Sequence, residues 1–244
     1  KKNNLHMFQH GGLYGMSKIN LIEDLEIKFS KKFYTFGWKK NYKTIPLFFF
    51  RKKINRLNPK KILLIMQKEN IYPTQPQVPV GMQNFAEYID ECEEFMKYLK
   101  KDVLNSFHVR YPGNKKIFLK IFRDGKFKLD QNINFNKSLS ETKLAINTCN
   151  NTTFLECMYH DIPNILLLDS SKNYHSILAE KIIKDLHKSK IIHYDVIKAA
   201  IFINKLIEED SIEKWWKSNA EIITKFRKIF CNKYNTDKWL KKIN

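Results

Sequence analysis

The chain is poor in the residues that usually announce a chemistry. Its 244 residues include only 4 cysteines, 7 glycines, 7 prolines and 4 tryptophans. Cys92, Cys149, Cys157 and Cys231 fit neither a CxxC metal pair nor a secreted disulfide framework, so they read as reduced structural residues of a cytosolic protein. No metal site is expected. The densest apolar run, Ile45 to Phe50, is far shorter than the about 20 residues that span a bilayer. HExxH, Walker A and GxSxG signatures are absent. The chain opens without an initiator methionine or a signal-peptide core, and it reads as the C-terminal portion of a longer protein.

Arginine is scarce in a chain that is otherwise strongly basic. The net charge is 44 − 25 = +19, yet only Arg51, Arg56, Arg110, Arg123 and Arg227 are arginines, which leaves 44 − 5 = 39 lysines. Lysine rides with abundant Asn and Ile, as in an AT-rich coding sequence. Arginine is the residue suited to bidentate recognition of phosphate and bases, so its scarcity argues against nucleic acid as the main partner. The charge reads as a solvated lysine surface, with a nucleotide-linked donor or an acidic membrane face as the anionic partners left open.

What the chain does have is apolar bulk and order. A 43% hydrophobic fraction, 18 phenylalanines and 11 tyrosines supply a globular core. His6 to Gln9 reads as a strand entering a glycine turn, and Phe33-Tyr34-Thr35-Phe36 as an aromatic strand closed by Gly37. Residues 46–59 carry Pro46 and Pro59 and read as a linker. Beyond it, Lys61 to Met66 is a near-continuous apolar strand of the kind buried in a parallel sheet. A loop with Pro73, Pro76 and Pro79 leads to a helix over Phe85 to Leu99, apolar at Phe85, Ile89, Cys92, Phe95, Met96 and Leu99. Phe107 to Tyr111, Leu144 to Asn147 and Pro163 to Leu168 read as further strands, and Asp124-Gly125 as a hairpin turn. The chain from Tyr174 reads as largely helical. Strands alternating with helices imply βαβ units and an open parallel sheet.

Two segments carry the functional signal. In Gln9-His10-Gly11-Gly12-Leu13-Tyr14-Gly15, an imidazole stands beside glycines that admit close approach of backbone to a ligand. His10 could take a proton from an attacking hydroxyl or steady a phosphate, with Gly11, Gly12 and Tyr14 beside it as candidate donor- and phosphate-binding residues. In Thr148-Cys149-Asn150-Asn151-Thr152-Thr153-Phe154-Leu155-Glu156, a strand-to-helix turn offers amides, hydroxyls and a helix dipole to an anion. Thr148, Asn150, Asn151, Thr152 and Thr153 are therefore candidate phosphate ligands, and Glu156 a partner for a ribose or sugar hydroxyl. The same residues also suit a capping box, with Thr152 or Thr153 as cap and Glu156 closing it. Arg110, at the end of a strand, is a candidate diphosphate clamp. A strand arginine paired to an acid would read the same way. Trp215, Trp216 and Trp239 read first as core, with stacking on bases as the alternative.

Together with Ile162-Pro163-Asn164-Ile165, these segments resemble a family of transferases encoded in bacterial surface-polysaccharide and lipopolysaccharide loci. The histidine-glycine segment is also similar to the His-Gly motif of CDP-glycerol-type polymer transferases. The resemblance implies an α/β, GT-B-like fold: a Rossmann-type parallel sheet with helices on both faces and a helical C-terminal tail. It implies that residues 1–45 end an acceptor-side domain, 60–220 form the nucleotide-donor domain and 221–244 a final helix. His10 would be the catalytic residue, and no cofactor is needed beyond a nucleotide-activated sugar as substrate. The expected partners are a nucleotide-sugar donor and a glycan or lipid-linked acceptor, with a cytoplasmic location peripheral to the inner membrane. A basic nucleic-acid-binding α/β protein and a sugar-nucleotide epimerase of the same architecture are the alternatives.

Overall fold

The structure is a computed structural model that describes residues 4–52, 54–56, 58–68, 84–114, 116, 118, 127–169 and 175–233. The Pro73 to Pro79 loop, the Asp124-Gly125 turn and Trp239 lie outside the described residues. The chain opens with β1 (His6–Phe8), α1 (Leu21–Phe29), β2 (Lys32–Thr35) and β3 (Thr44–Pro46). These strands form a parallel 3-stranded sheet in the order β1-β2-β3.

A second sheet follows. Its elements are β4 (Lys61–Ile65), α2 (Phe85–Lys97), α3 (Lys101–Asn105), β5 (Phe107–Arg110), β6 (Lys128–Leu129), α4 (Phe135–Ser140) and β7 (Thr142–Asn147). Then come α5 (Thr152–Tyr159), β8 (Asn164–Leu167), α6 (Ile177–Lys188), β9 (Ile192–His193), α7 (Val196–Glu208), α8 (Ile212–Ser218) and α9 (Ala220–Phe230). All six strands are parallel, in the order β6-β5-β4-β7-β8-β9. In order of appearance this is the doubly wound 3-2-1-4-5-6 arrangement, which reverses direction between β4 and β7. The α/β class, the parallel sheets and the helices on both faces are as expected.

The central strands β4, β7 and β8 are buried over nearly all of their length because both faces are covered. On one face Ile62, Leu64, Phe107 and Val109 pack with Ile89 and Phe95 of α2 and Ile203 of α7. On the other, Leu63, Ile65 and Ala145 pack with Leu139 and Cys157. A third cluster joins the sheets: Phe33, Trp38 and Phe49 from the first part of the chain meet Phe154, Ile183, Phe226 and Phe230. Trp216 belongs to this core at 3% exposure, and its indole N–H donates to Asp161 Oδ1 at 2.8 Å. Trp215 donates to Ser189 O at 3.1 Å. These two indoles are packing residues.

The structure corrects the linker reading and adds two elements that the sequence did not announce. Residues 21–29 form a helix, started by Asn20, whose side chain accepts from the Glu23 N–H at 3.1 Å. The stretch read as a linker is built into the fold: β3 ends in Pro46, tolerable at the edge of a sheet, and Phe49 N donates to Asn232 O at 2.8 Å. The tail is largely helical as read, with the two-residue strand β9 between α6 and α7. After α9 the chain returns to the first sheet, where Asn232 N donates to Phe36 O at 2.9 Å and its Nδ2 to Leu47 O at 3.0 Å.

One buried histidine and one half-buried one set an acid limit on this fold. Burial pushes His193 down to about 4, against the lysine carbonyl hydrogen bond that favours its charged form. Burial, helped by the Arg51 charge, pushes His160 down to about 4 as well. Unfolded histidine titrates near 6.5. Between these values the unfolded chain binds protons that the folded chain does not, so stability falls as the pH drops through that window. Each histidine contributes at most about 1.4 kcal/mol per pH unit. Denaturation at pH 7, 6 and 5 should show this decline, and His193→Gln should flatten it. An equally steep decline in a His160→Gln/His193→Gln double variant would refute the assignment.

Candidate functional site

The site grows from the glycine turn after β1. Gln9, 5% exposed, holds that turn through its backbone N–H and both side-chain polar atoms: its N–H donates to Tyr34 O at 2.8 Å, and its Nε2 to Gly11 O at 2.8 Å. Its Oε1 accepts from Phe36 N at 2.9 Å and Trp38 Nε1 at 2.8 Å. Gly12 then lies directly on the start of α5. A Cβ there would stand 2.4 Å from both Asn151 C and Thr152 N, a separation real Cβ atoms do not reach. Gly15 follows in the left-handed region (φ +73°) with the Trp38 ring 2.6 Å from where a Cβ would be. Its N–H donates to Glu23 Oε2 at 2.6 Å, and its carbonyl accepts from Ser176 Oγ at 2.6 Å. The two sequence segments are therefore one structural unit.

His10 stands at the edge of this unit with 65% of its side chain exposed. Its Nε2 lies 3.2 Å from the Tyr14 hydroxyl, and its Nδ1 3.7 Å from Glu26 Oε1. Tyr14 donates its own proton to Glu26 Oε2 at 2.9 Å. Burial, and then the hydrogen bond to Glu26, push the Tyr14 phenol far above its ordinary range, so it stays protonated. With that proton given to Glu26, the Tyr14 oxygen is left to accept an N–H from the imidazole. Such a chain fixes one ring nitrogen as donor and leaves the other to take up a proton.

His10 also lines a cleft of about 600 Å³ at the carboxyl ends of the first sheet, with Phe8, Tyr34, Phe36, Phe48, Phe50 and Arg51. Arg51 joins this cleft to the second segment. Its Nε donates to Glu156 Oε1 at 2.6 Å, and its guanidinium lies 4.3 Å above the Phe49 ring. Glu156 is thus turned toward Arg51 and closes no capping box. Neither Arg51 nor Glu26 stands out in the sequence. The one available signal for Arg51 was an arginine directly after three phenylalanines in an arginine-poor chain.

The start of α5 is capped by Asn151, one residue earlier than the threonines considered from sequence. Its Oδ1 accepts from Thr153 N at 3.0 Å and Phe154 N at 3.4 Å, with Thr153 Oγ1 2.5 Å away. Asn150 is 3% exposed, and its Nδ2 lies 3.6 Å from Met16 Sδ. Among the described residues, its Oδ1 is buried without a hydrogen-bond partner. Thr148 closes a relay between strand ends: Gln67 N donates to the Tyr88 oxygen at 2.7 Å, Tyr88 to Thr148 Oγ1 at 2.7 Å, and Thr148 to Ile65 O at 3.0 Å. Beside it a cavity of about 370 Å³ opens at the carboxyl ends of β7, β8 and β9, lined by Tyr88, Thr148, Leu168, Asp169 and Asp195. It lies where an open α/β sheet places its ligands.

Arg110 takes the ion-paired alternative. Its Nη1 donates to Asp130 Oδ2 at 2.8 Å, Asn132 O at 2.8 Å and Ser138 Oγ at 3.2 Å. Lys61 Nζ reaches the other Asp130 oxygen at 2.9 Å. Burial pushes the Asp130 carboxyl upward, but hydrogen bonds from Ser138, Lys61 and Arg110 outweigh it and hold it below the usual carboxylate range. The guanidinium is spent inside the fold rather than offered as a diphosphate clamp.

A family profile described as "LIC12162 family transferase" matches residues 1–243. No curated protein sequence matches the chain. Among solved structures, the wall teichoic acid polymerase TagF is similar with a TM-score of 0.48 at 10% identity, over 100% of this chain and 68% of that one. The pneumococcal O-GlcNAc transferase GtfA, in complex with UDP and GlcNAc, is similar with a TM-score of 0.39 at 9% identity, over 90% of this chain and 53% of that one.

Gly12→Ala tests the seat on α5 directly. A methyl forced against backbone should cost about 1–3 kcal/mol. In a chain of this size that lowers the melting temperature by about 2–4 °C per kcal/mol. A variant as stable as the parent would mean that the turn does not rest on α5.

Proposed function

The chain belongs to the LIC12162 family of transferases, and from that premise we propose that it moves a sugar or a related group from a nucleotide-activated donor to a bacterial surface glycan. The observation that carries this reading is the seat of Gly12 on the Asn151–Thr152 peptide, which joins the histidine-glycine turn to the start of α5. The donor nucleoside would occupy the cavity beside Thr148. Its phosphates would lie toward Asn150, Asn151, Thr152 and Thr153, where the α5 dipole favours negative charge. Gly12 lets the turn seat directly on α5, and Glu156, held by Arg51, would accept a hydrogen bond from a donor hydroxyl.

In the transfer of a sugar, the acceptor oxygen bonds to the anomeric carbon. The bond from that carbon to the donor phosphate oxygen breaks, and its electron pair leaves with the nucleotide. The acceptor proton passes to His10 Nδ1, which faces the Glu26 carboxylate at 3.7 Å, while the Tyr14 oxygen holds the N–H at Nε2. The substrate supplies the activated group, and the scheme calls on no further cofactor.

For location, the lysine-rich surface supports a peripheral position at the cytoplasmic face of the inner membrane, near a lipid-linked acceptor. No helix among the described residues is long and apolar enough to cross a membrane.

A thermal-shift series with CMP, CDP, UDP, GDP and dTDP should give a selective rise in melting temperature. Asn151→Ala should reduce that rise, measured against the variant's own baseline because loss of the cap itself costs about 1 kcal/mol. His10→Gln should keep the nucleotide response but lower turnover by about 10²-fold or more. Silence toward every nucleotide, together with steeply salt-dependent binding of DNA or RNA, would replace this reading with the nucleic-acid one.

A further inference from the structure

We propose that the aromatic cleft at the carboxyl ends of β1, β2 and β3 binds the acceptor, and that it takes an uncharged pyranose ring. The assignment rests on the transferase reading above and names the substrate class on its acceptor side.

The walls of the cleft set the shape of the ligand. Phe8 and Phe50 are 56% and 68% exposed, although both line a concave surface. Phe8 is braced by Tyr34, with ring centroids 4.7 Å apart and planes 21° from parallel. Flat, fixed aromatic faces suit a ligand that is itself flat and apolar on one side and polar at its edge. A pyranose is such a ligand: its axial C–H groups form an apolar face, while its hydroxyls project sideways. Stacking it on these rings removes apolar surface from water and gains dispersion contacts, yet leaves the hydroxyls solvated or bonded. The cleft volume of about 600 Å³ falls within the range of built ligand sites and has room for more than one ring.

Charge decides between neutral and acidic sugars. His10 and Arg51 are the ionisable side chains at the cleft besides the Tyr34 phenol. Arg51 is already committed, through Nε to Glu156 Oε1 at 2.6 Å and through Nη1 to Phe50 O at 2.9 Å. A carboxylate or phosphate on the acceptor would have to draw the guanidinium from Glu156. That carboxylate, 14% exposed, would lose its counter-charge, and breaking a partly buried pair is costly. A neutral ring makes no such demand. His10 belongs both to this cleft and to the turn seated on α5, so a hydroxyl at the ring edge is presented between the imidazole and the donor side.

The test uses saturation-transfer NMR on the whole chain, with methyl glucoside, methyl N-acetylglucosaminide and methyl glucuronide as probes. Phe8 and Phe50 are exposed, so Phe8→Ala and Phe50→Ala leave the core untouched. Transfer to the ring C–H protons of the neutral glycosides is expected. Binding should weaken about two- to tenfold in Phe50→Ala, the scale of one aromatic contact, and the glucuronide should bind less well. The nucleotide thermal shift is measured in parallel and should not change in either variant. Neutral glycosides that give no transfer, or the same transfer in both variants, overturn the cleft assignment even where nucleotide binding persists. A glucuronide that binds more tightly than the glucoside overturns the charge argument. Loss of the nucleotide response in the parent chain instead removes the transferase reading on which the proposal stands.

Discussion

Gly12 has its α-carbon against the Asn151–Thr152 peptide, with no room for even a methyl group between them. This contact fixes the distance between the first sheet and α5, and every other feature of the site is arranged around it. It places His10 at the rim of the cleft and brings Arg51 within reach of Glu156. The shared cluster of Phe33, Trp38, Phe49, Phe154 and Phe226 then fills the space behind it. Because interiors are close-packed, a shift of one wall would be felt at the other. The site is therefore as rigid as the core that backs it.

The polar groups behind the turn follow the same economy. Glu23 is 2% exposed, yet both of its oxygens are used: one accepts from Gly15 N at 2.6 Å, the other from Lys40 Nζ at 3.0 Å. Asp130 is likewise shared between Lys61 and Arg110. A buried carboxylate is tolerated only when its charge and lone pairs are met, and removing one partner of such a group costs about 3–5 kcal/mol. These pairs specify geometry more than they add stability. Glu23 locks the turn in its left-handed conformation at Gly15, and Asp130 ties the ends of β4 and β5 to α4.

How much of this was legible in the sequence differs by element, for physical reasons. β4 and β8 were plain because a strand covered on both faces must be apolar throughout. α2 was plain because one face of it is buried at helical spacing. α1 was hidden because its pattern is inverted: Leu21, Leu25 and Phe29 face outward at 49%, 52% and 67% exposure, while Glu23 is buried. Periodicity cannot find a helix whose buried face carries a carboxylate. β3 was hidden by its length and by Pro46, and β9 by being only two residues long. At the candidate site, the glycine turn after His10 and the Asn150 to Thr153 turn could be read as local structure because local sequence builds them. Arg51 and Glu26 could not, since only tertiary contact brings them to Glu156 and Tyr14. Arg110 remained ambiguous because its acid, Asp130, lies 20 residues further on, at the end of the neighbouring strand β6, and only strand pairing brings the two together.

The net charge of +19 invites a search for a basic site, yet neither cavity provides one. The cavity beside Thr148 is lined by Glu91, Glu94, Asp169 and Asp195 with no lysine or arginine among its lining residues, and the aromatic cleft has only Arg51, already paired. An acidic pocket repels phosphates but can accept hydrogen bonds from ribose hydroxyls and base amino groups. On the proposed reading, a nucleotide donor would therefore divide itself by charge, nucleoside into the cavity and phosphates toward the N-terminus of α5. There backbone amides and the helix dipole, rather than side-chain cations, provide the positive potential. The lysines would then act at long range, drawing an anionic donor or an anionic membrane toward the protein without entering the chemistry. This division explains how a chain can be strongly basic overall and still build its site almost without basic side chains.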